Sequence, residues 1–173
     1  MKLIIKWTRT SVHSLIIRLV SPIVQEIVKT QIQIWGDPDR LKVSPTAKMV
    51  NTLFNTSSGY IEVGDYTFAG HNVIIITGTH QYSSLLEKRL TDIPRDGRDI
   101  IIGKGVWIGS NAVILGPSKI GDHVVIAASA VVVAGSNIPS GAIVAGIPAR
   151  VIKYLPTVGS VSPSHMEEPV KPD

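Results

Sequence analysis

The chain is 173 residues long, one domain's worth of sequence, and its net charge of +4 is mild, which excludes the dense Lys/Arg stripe of a nucleic-acid footprint. Hydrophobic residues make up 44% but aromatic residues only 5%, so the apolar content is Ile, Val, Leu and Ala, the material of a β-rich interior of small, branched side chains. Cysteine is absent, which excludes disulfides, thiolate metal sites and a cysteine nucleophile and leaves anionic small molecules as the partners the charge suggests.

Residues 1–35 read as an N-terminal amphipathic helical segment. Lys2, Lys6, Arg9, Arg18 and Lys29 interrupt Leu3, Ile4, Ile5, Trp7, Leu15, Ile16, Ile17, Leu19 and Val20. A secretory signal or a spanning helix needs a longer charge-free apolar run than Lys6, Arg9 and Arg18 allow, so the expected location is cytoplasmic. A basic amphipathic segment of this kind packs on its own domain or on a partner subunit, or makes peripheral contact with a membrane through residues 1–29.

Residues 43–154 carry a repeat of six. Counting Ile102 as slot one, the first slots run Ile102, Ile108, Ile114, Ile120, Ile126, Val132, Ile138 and Val144 without exception. The fifth slots are Val106, Ala112, Ser118, Val124, Ala130, Ser136, Ala142 and Pro148, all small or compact. Gly103, Gly109 and Gly121 fill second slots, where a Cβ would clash as the chain turns. A period of six matches neither an amphipathic helix nor an ordinary half-buried strand. It suits a short strand and a corner, repeated, with slot one pointing into a narrow interior. The frame recurs upstream at Val63, Ala69 and Ile75, and raggedly at Val43, Met49 and Asn55. The interval from Ile75 to Ile102 is 27 residues, not a multiple of six, so a polar loop over about 81–99 is extruded there. Long loops on rigid scaffolds are disproportionately functional. Residues 156–173, rich in Pro, Ser and charge, read as a disordered tail.

Three motifs, GDYTFAGHNVIIITGTH (64–80), IIIGKGVWIGSNAVILG (100–116) and IVAGIPARVIK (143–153), resemble the hexapeptide-repeat acyltransferases, and within them the galactoside, maltose and polysaccharide O-acetyltransferases. The resemblance covers about residues 43–154. It implies an all-β fold, a left-handed parallel β-helix, against the usual right-handed crossover rule. It also implies a homotrimer with active sites at the subunit interfaces, acetyl-CoA as donor, a carbohydrate acceptor and no metal.

By the same resemblance His80, at the mouth of the loop, matches the family's general base. The acceptor attacks the thioester directly, so one group must take its proton and one donor must hold the oxyanion. Imidazole is the side chain suited to that task near neutral pH. Trp107 matches the tryptophan that lines the cofactor channel; from the residues alone it equally suits an aromatic sealing a subunit contact. Ser110 and Ala128 match positions where small residues meet the cofactor, and Arg150 and Lys153 match the basic pair on its phosphates. Relatives carry a Thr-Lys-Asp turn where this chain has VVVAGSNIP (131–139), which puts one cofactor contact in question. Asn51 and Asn55 are the polar candidates for the acceptor, and His71 could approach it; His13, His123 and His165 read as structural or solvated. Serine or antibiotic acetyltransferases share the scaffold, as do a non-catalytic assembly scaffold and the zinc-dependent γ-type carbonic anhydrases, whose site needs a close histidine pair after the loop that this chain lacks.

Overall fold

The computed structural model describes residues 32–156, together with 14, 16–21 and 24. The expected tail lies outside the described residues beyond Pro156, and so does most of the expected N-terminal segment.

The described chain winds through five coils, each laying one short strand on each of three faces. The first coil holds β1 (Gln33–Trp35), β2 (Leu41–Val43) and β3 (Lys48–Met49); the second holds β4 (Leu53–Asn55), β5 (Ile61–Val63) and β6 (Phe68–Ala69). The third holds β7 (Ile74–Ile76), β8 (Ile100–Ile102) and β9 (Trp107–Ile108); the fourth holds β10 (Val113–Leu115), β11 (Ser118–Ile120) and β12 (Val125–Ile126). The fifth holds β13 (Val131–Val132), β14 (Ser136–Ile138) and β15 (Ala142–Ala145), and β16 (Arg150–Tyr154) closes the third face by pairing antiparallel with β15. The fold is a left-handed parallel β-helix. An α-helix, α1 (Leu86–Thr91), lies in the extruded loop.

The interior explains the period of six. Every slot-one residue from Ile102 to Val144 is buried, and each stacks in register on its equivalent one coil away, as Ile75 on Ile114 and Ile114 on Val132. β-branched side chains suit this because they are stiff and fill a narrow cross-section without voids. The second-slot glycines face the next coil: a Cβ on Gly109 would meet the backbone nitrogen of Ala128. The corners are turned elsewhere, by Asn72, Asn111, His123 and Ser129, with φ of 57, 60, 57 and 59°.

Two expectations are corrected. The solenoid begins at Gln33, not at residue 43, because β1 pairs with β4 from Gln33↔Leu53 to Trp35↔Asn55; the last residues assigned to a helical segment over 1–35 are therefore strand. In the second coil Asn55 is not the inward residue. Phe54 points inward and is fully buried, in register with Ile75, while Asn55 is half-buried on the outside. A one-residue shift exchanges inside and outside along a strand, and the corner after β4 absorbs the difference.

The outward surfaces of the three faces differ. On the first, Leu53, Ile74, Val113 and Val131 form an aliphatic row. On the second, Lys42, Glu62, Ile101, Lys119 and Asn137 are exposed. On the third, Phe68, Trp107, Val125, Ile143 and Lys153 align. At the corner between the second and third faces, the Ser44 and Thr46 hydroxyls donate to Asp65 and hold its carboxyl below the usual range, with Lys104 adding a smaller charge effect.

Ile114→Ala, in the middle of the stack, should cost about 2–5 kcal/mol through lost burial and the cavity left behind. Ser118→Ala should raise the melting temperature, because the Ser118 hydroxyl is buried with no hydrogen-bond partner among the described residues and removing such a group is worth about 1 kcal/mol. Thermal melts of the two variants read both changes.

Candidate functional site

β7 ends at Ile76 and the chain leaves the prism two residues later. Gly78 lies against the Asn55 side chain of the coil below, where a Cβ would meet the Asn55 amide. That amide is already fixed, its Oδ1 accepting the Ser57 N–H at 2.9 Å. His80 follows, exposed, with Nδ1 at 2.9 Å from the backbone oxygen of Arg89 in α1. A carbonyl oxygen only accepts, so Nδ1 carries a hydrogen, and in the neutral ring the lone pair is then on Nε2. The ring is oriented by the loop's own helix.

The loop is held at several points. The Gln81 N–H donates to Asp92 O at 2.9 Å, joining its outgoing and returning legs. Arg40 donates from Nη1 to Arg95 O at 2.6 Å, pairs with Asp96 at 3.0 Å and lies 5.2 Å from the centre of the Tyr60 ring. Arg98 Nε donates to Thr77 O at 2.7 Å. Between the returning leg and the corners of the first two coils is an open recess of about 430 Å³, lined in part by Asp37, Arg40, Ser57, Thr91 and Arg95. None of these was singled out from the sequence. The Arg40 contact spans 55 residues, and no local pattern announces it.

The remaining expected residues gather along the third face and its corner with the first. Trp107 is 51% exposed and stacked on Phe68, ring centroids 6.0 Å apart. Lys153 lies on the same outward row three strands away, roughly 14 Å at the usual strand spacing, and Arg150 begins β16. At the corner, the Ser110 hydroxyl accepts the His71 N–H at 3.1 Å, and Ala128 lies one coil on, against Gly109. Asn51 is in the same corner, donating to the Asn72 side chain at 2.6 Å, with a φ of 44°. The structure thus groups Asn51, His71, Ser110 and Ala128, and separately Asn55 and His80. Between the groups lies the width of the first face, about 20 Å for the six residue steps from Asn72 to Gly78.

Residues 99–134, where the frame is unbroken, match the family model described as bacterial transferase hexapeptide (six repeats). Over those residues the chain carries hexapeptide repeats of the bacterial transferase type. A stretch of 65 residues, 38% of this chain, is 45% identical to the 2,3,4,5-tetrahydropyridine-2,6-dicarboxylate N-acetyltransferase of Staphylococcus aureus (strain JH9). The match spans about a quarter of that relative's length, 26%. Among solved structures, a maltose O-acetyltransferase from Clostridium difficile 630 aligns over 79% of this chain and 75% of its own, at 28% identity and a TM-score of 0.50. A variant of the N-acyltransferase AntD from Bacillus cereus, in complex with dTDP and coenzyme A, aligns over 71% of this chain and 77% of its own at 17% identity and a TM-score of 0.58; at that identity it supports the fold alone.

In this hexapeptide-repeat chain the described histidines occupy three different corners. His71 lies between β6 and β7, His80 between β7 and β8, and His123 between β11 and β12. They do not converge within one chain, and among the described residues no group of three or more His, Cys, Asp or Glu is placed to hold a metal ion. His13 and His165 lie outside the described residues.

Proposed function

We propose that the protein transfers an acetyl group from acetyl-CoA to a hydroxyl of a sugar or polysaccharide precursor, with His80 as general base. The observation that carries this reading is the His80 ring, exposed at the root of the loop and held through Nδ1 to the Arg89 carbonyl, which leaves Nε2 for the acceptor. Nε2 takes the acceptor's proton as its oxygen bonds to the thioester carbon; the C–S bond then breaks, and the departing thiolate recovers the proton. The likeness to a maltose O-acetyltransferase favours a carbohydrate hydroxyl over an amine, and the recess beside the loop offers it Asp37, Ser57 and Arg95. Asn55 stands nearest His80 of the expected acceptor residues; Asn51 and His71 would meet the acceptor only from another subunit.

Acetyl-CoA lies, in this reading, along the third face, with its pantetheine arm past Trp107, Ser110 and Ala128 and its phosphates at Arg150 and Lys153. His80 is a face's width away in the same chain, so a complete site forms where His80 of one copy meets the third face of the next. The aliphatic row on the first face supplies a surface for that contact. The assembly proposed is a homotrimer.

His80→Ala should cut turnover by ~10²–10⁴, with little change in melting temperature, because the side chain is exposed, and with acetyl-CoA affinity retained. Near-normal turnover with the best acceptor would remove His80 from the mechanism. Because transfer is direct, initial-rate kinetics should be sequential. Arg150→Ala and Lys153→Ala should weaken acetyl-CoA far more than acetyl-pantetheine, which lacks the nucleotide phosphates; equal losses for both donors would disprove the phosphate contact. Native mass measurement should give three chains, and a monomer at micromolar concentration would sink the shared site.

A further inference from the structure

The described residues between 14 and 24 are all helical. At 100° per residue, Ile16, Ile17, Leu19, Val20 and Val24 fall on one side and Ser14, Arg18 and Ser21 on the other. The apolar side is uncovered: Val20 is 45% exposed, Val24 47%, Ile17 52%, Ile16 53% and Leu19 65%. A contiguous apolar stripe on an amphipathic helix marks a surface that something else covers.

The charge distribution indicates what covers it. Residues 1–31 contain Lys2, Lys6, Arg9, Arg18 and Lys29 against Glu26 alone, and the rest of the chain contains twelve basic and twelve acidic residues. The whole net charge of +4 therefore resides in this stretch. A second copy would bring a helix stretch of the same sign on a chain otherwise without net charge, so its net field offers no attraction. An anionic lipid surface attracts every one of the basic residues and accepts the apolar side below its headgroups. Among the described residues no helix is long and apolar enough to cross a membrane, which leaves a helix lying in the plane of the interface.

We infer that this helix docks the protein peripherally on an anionic lipid bilayer, with Ile16, Ile17, Leu19, Val20 and Val24 at the acyl boundary and Arg18 among the headgroups. The inference is independent of the acetyl transfer proposed above. Its test is co-sedimentation of the full chain with vesicles of phosphatidylcholine alone and of phosphatidylcholine mixed with phosphatidylglycerol. The protein should sediment with the mixed vesicles at low salt, less at high salt, and not with phosphatidylcholine alone. Arg18→Ala should weaken binding about fivefold, the effect of one basic residue near the surface. Ile17→Asp combined with Val20→Asp should reduce it by more than tenfold. All positions changed are exposed, so the melting temperature should stay at the wild-type value; if the double variant fails to fold, Arg18→Ala carries the test. Equal binding to both vesicle types, undiminished binding by the variants, or no binding at all overturns the inference. A native mass that falls in the double variant, without vesicle binding by the wild type, would assign the stripe to a second copy of the chain instead.

Discussion

The structure depends on the stacking, coil upon coil, of inward side chains that are mostly branched aliphatics in a narrow interior. Ile75, Ile114 and Val132 on the first face, and Val63, Ile102, Ile120 and Ile138 on the second, sit in register one coil apart. Each coil therefore fixes the position of the next, and the backbone pairs between coils rather than within them. Such a scaffold is built from nearest-neighbour contacts. It leaves the outward positions and the corners free of packing duty, and those are where the three faces acquire different chemical characters.

The corners divide the work. Two of them are turned mainly by residues in the left-handed region, among them Asn72, Asn111, His123 and Ser129, and stay close to the prism. The third, between the first and second faces, carries the insertion. There the candidate base depends on the inserted segment for its orientation, because the carbonyl that fixes the His80 ring belongs to Arg89 of α1. The loop in turn depends on the first coil, through the contacts of Arg40 with Arg95 and Asp96. Contacts of Arg40 thus tie the returning leg of the loop to the start of the solenoid, and the helix in the same loop holds the imidazole.

The separation of His80 from Trp107, Lys153 and Arg150 has a geometric origin. A coil lays its strands on three faces in turn, so residues near in sequence are carried to different sides of the prism. His71 and His80, nine residues apart, stand on opposite edges of the first face for this reason. In the proposed assembly a site that needs both edges is completed by a second copy, because every copy presents the same pair of edges.

The sequence by itself determined the solenoid, the place of its inserted loop and the identity of the inward residues from Ile102 to Val144, because a period of six with an invariant branched aliphatic slot has one packing solution. It failed where the period faltered. Phe54 replaced Asn55 inside because aromatic bulk satisfies the interior and an amide does not, and β1 escaped notice because Ile34, at the open end of the prism, is 42% exposed and stands outside any repeat. Only the tertiary structure decided what holds His80, how Arg40 secures the loop and which candidates share a corner. Those facts rest on contacts between residues separated by nine to 55 positions, and a hydrogen bond to a distant backbone carbonyl leaves no mark on the identity of the residue that supplies it.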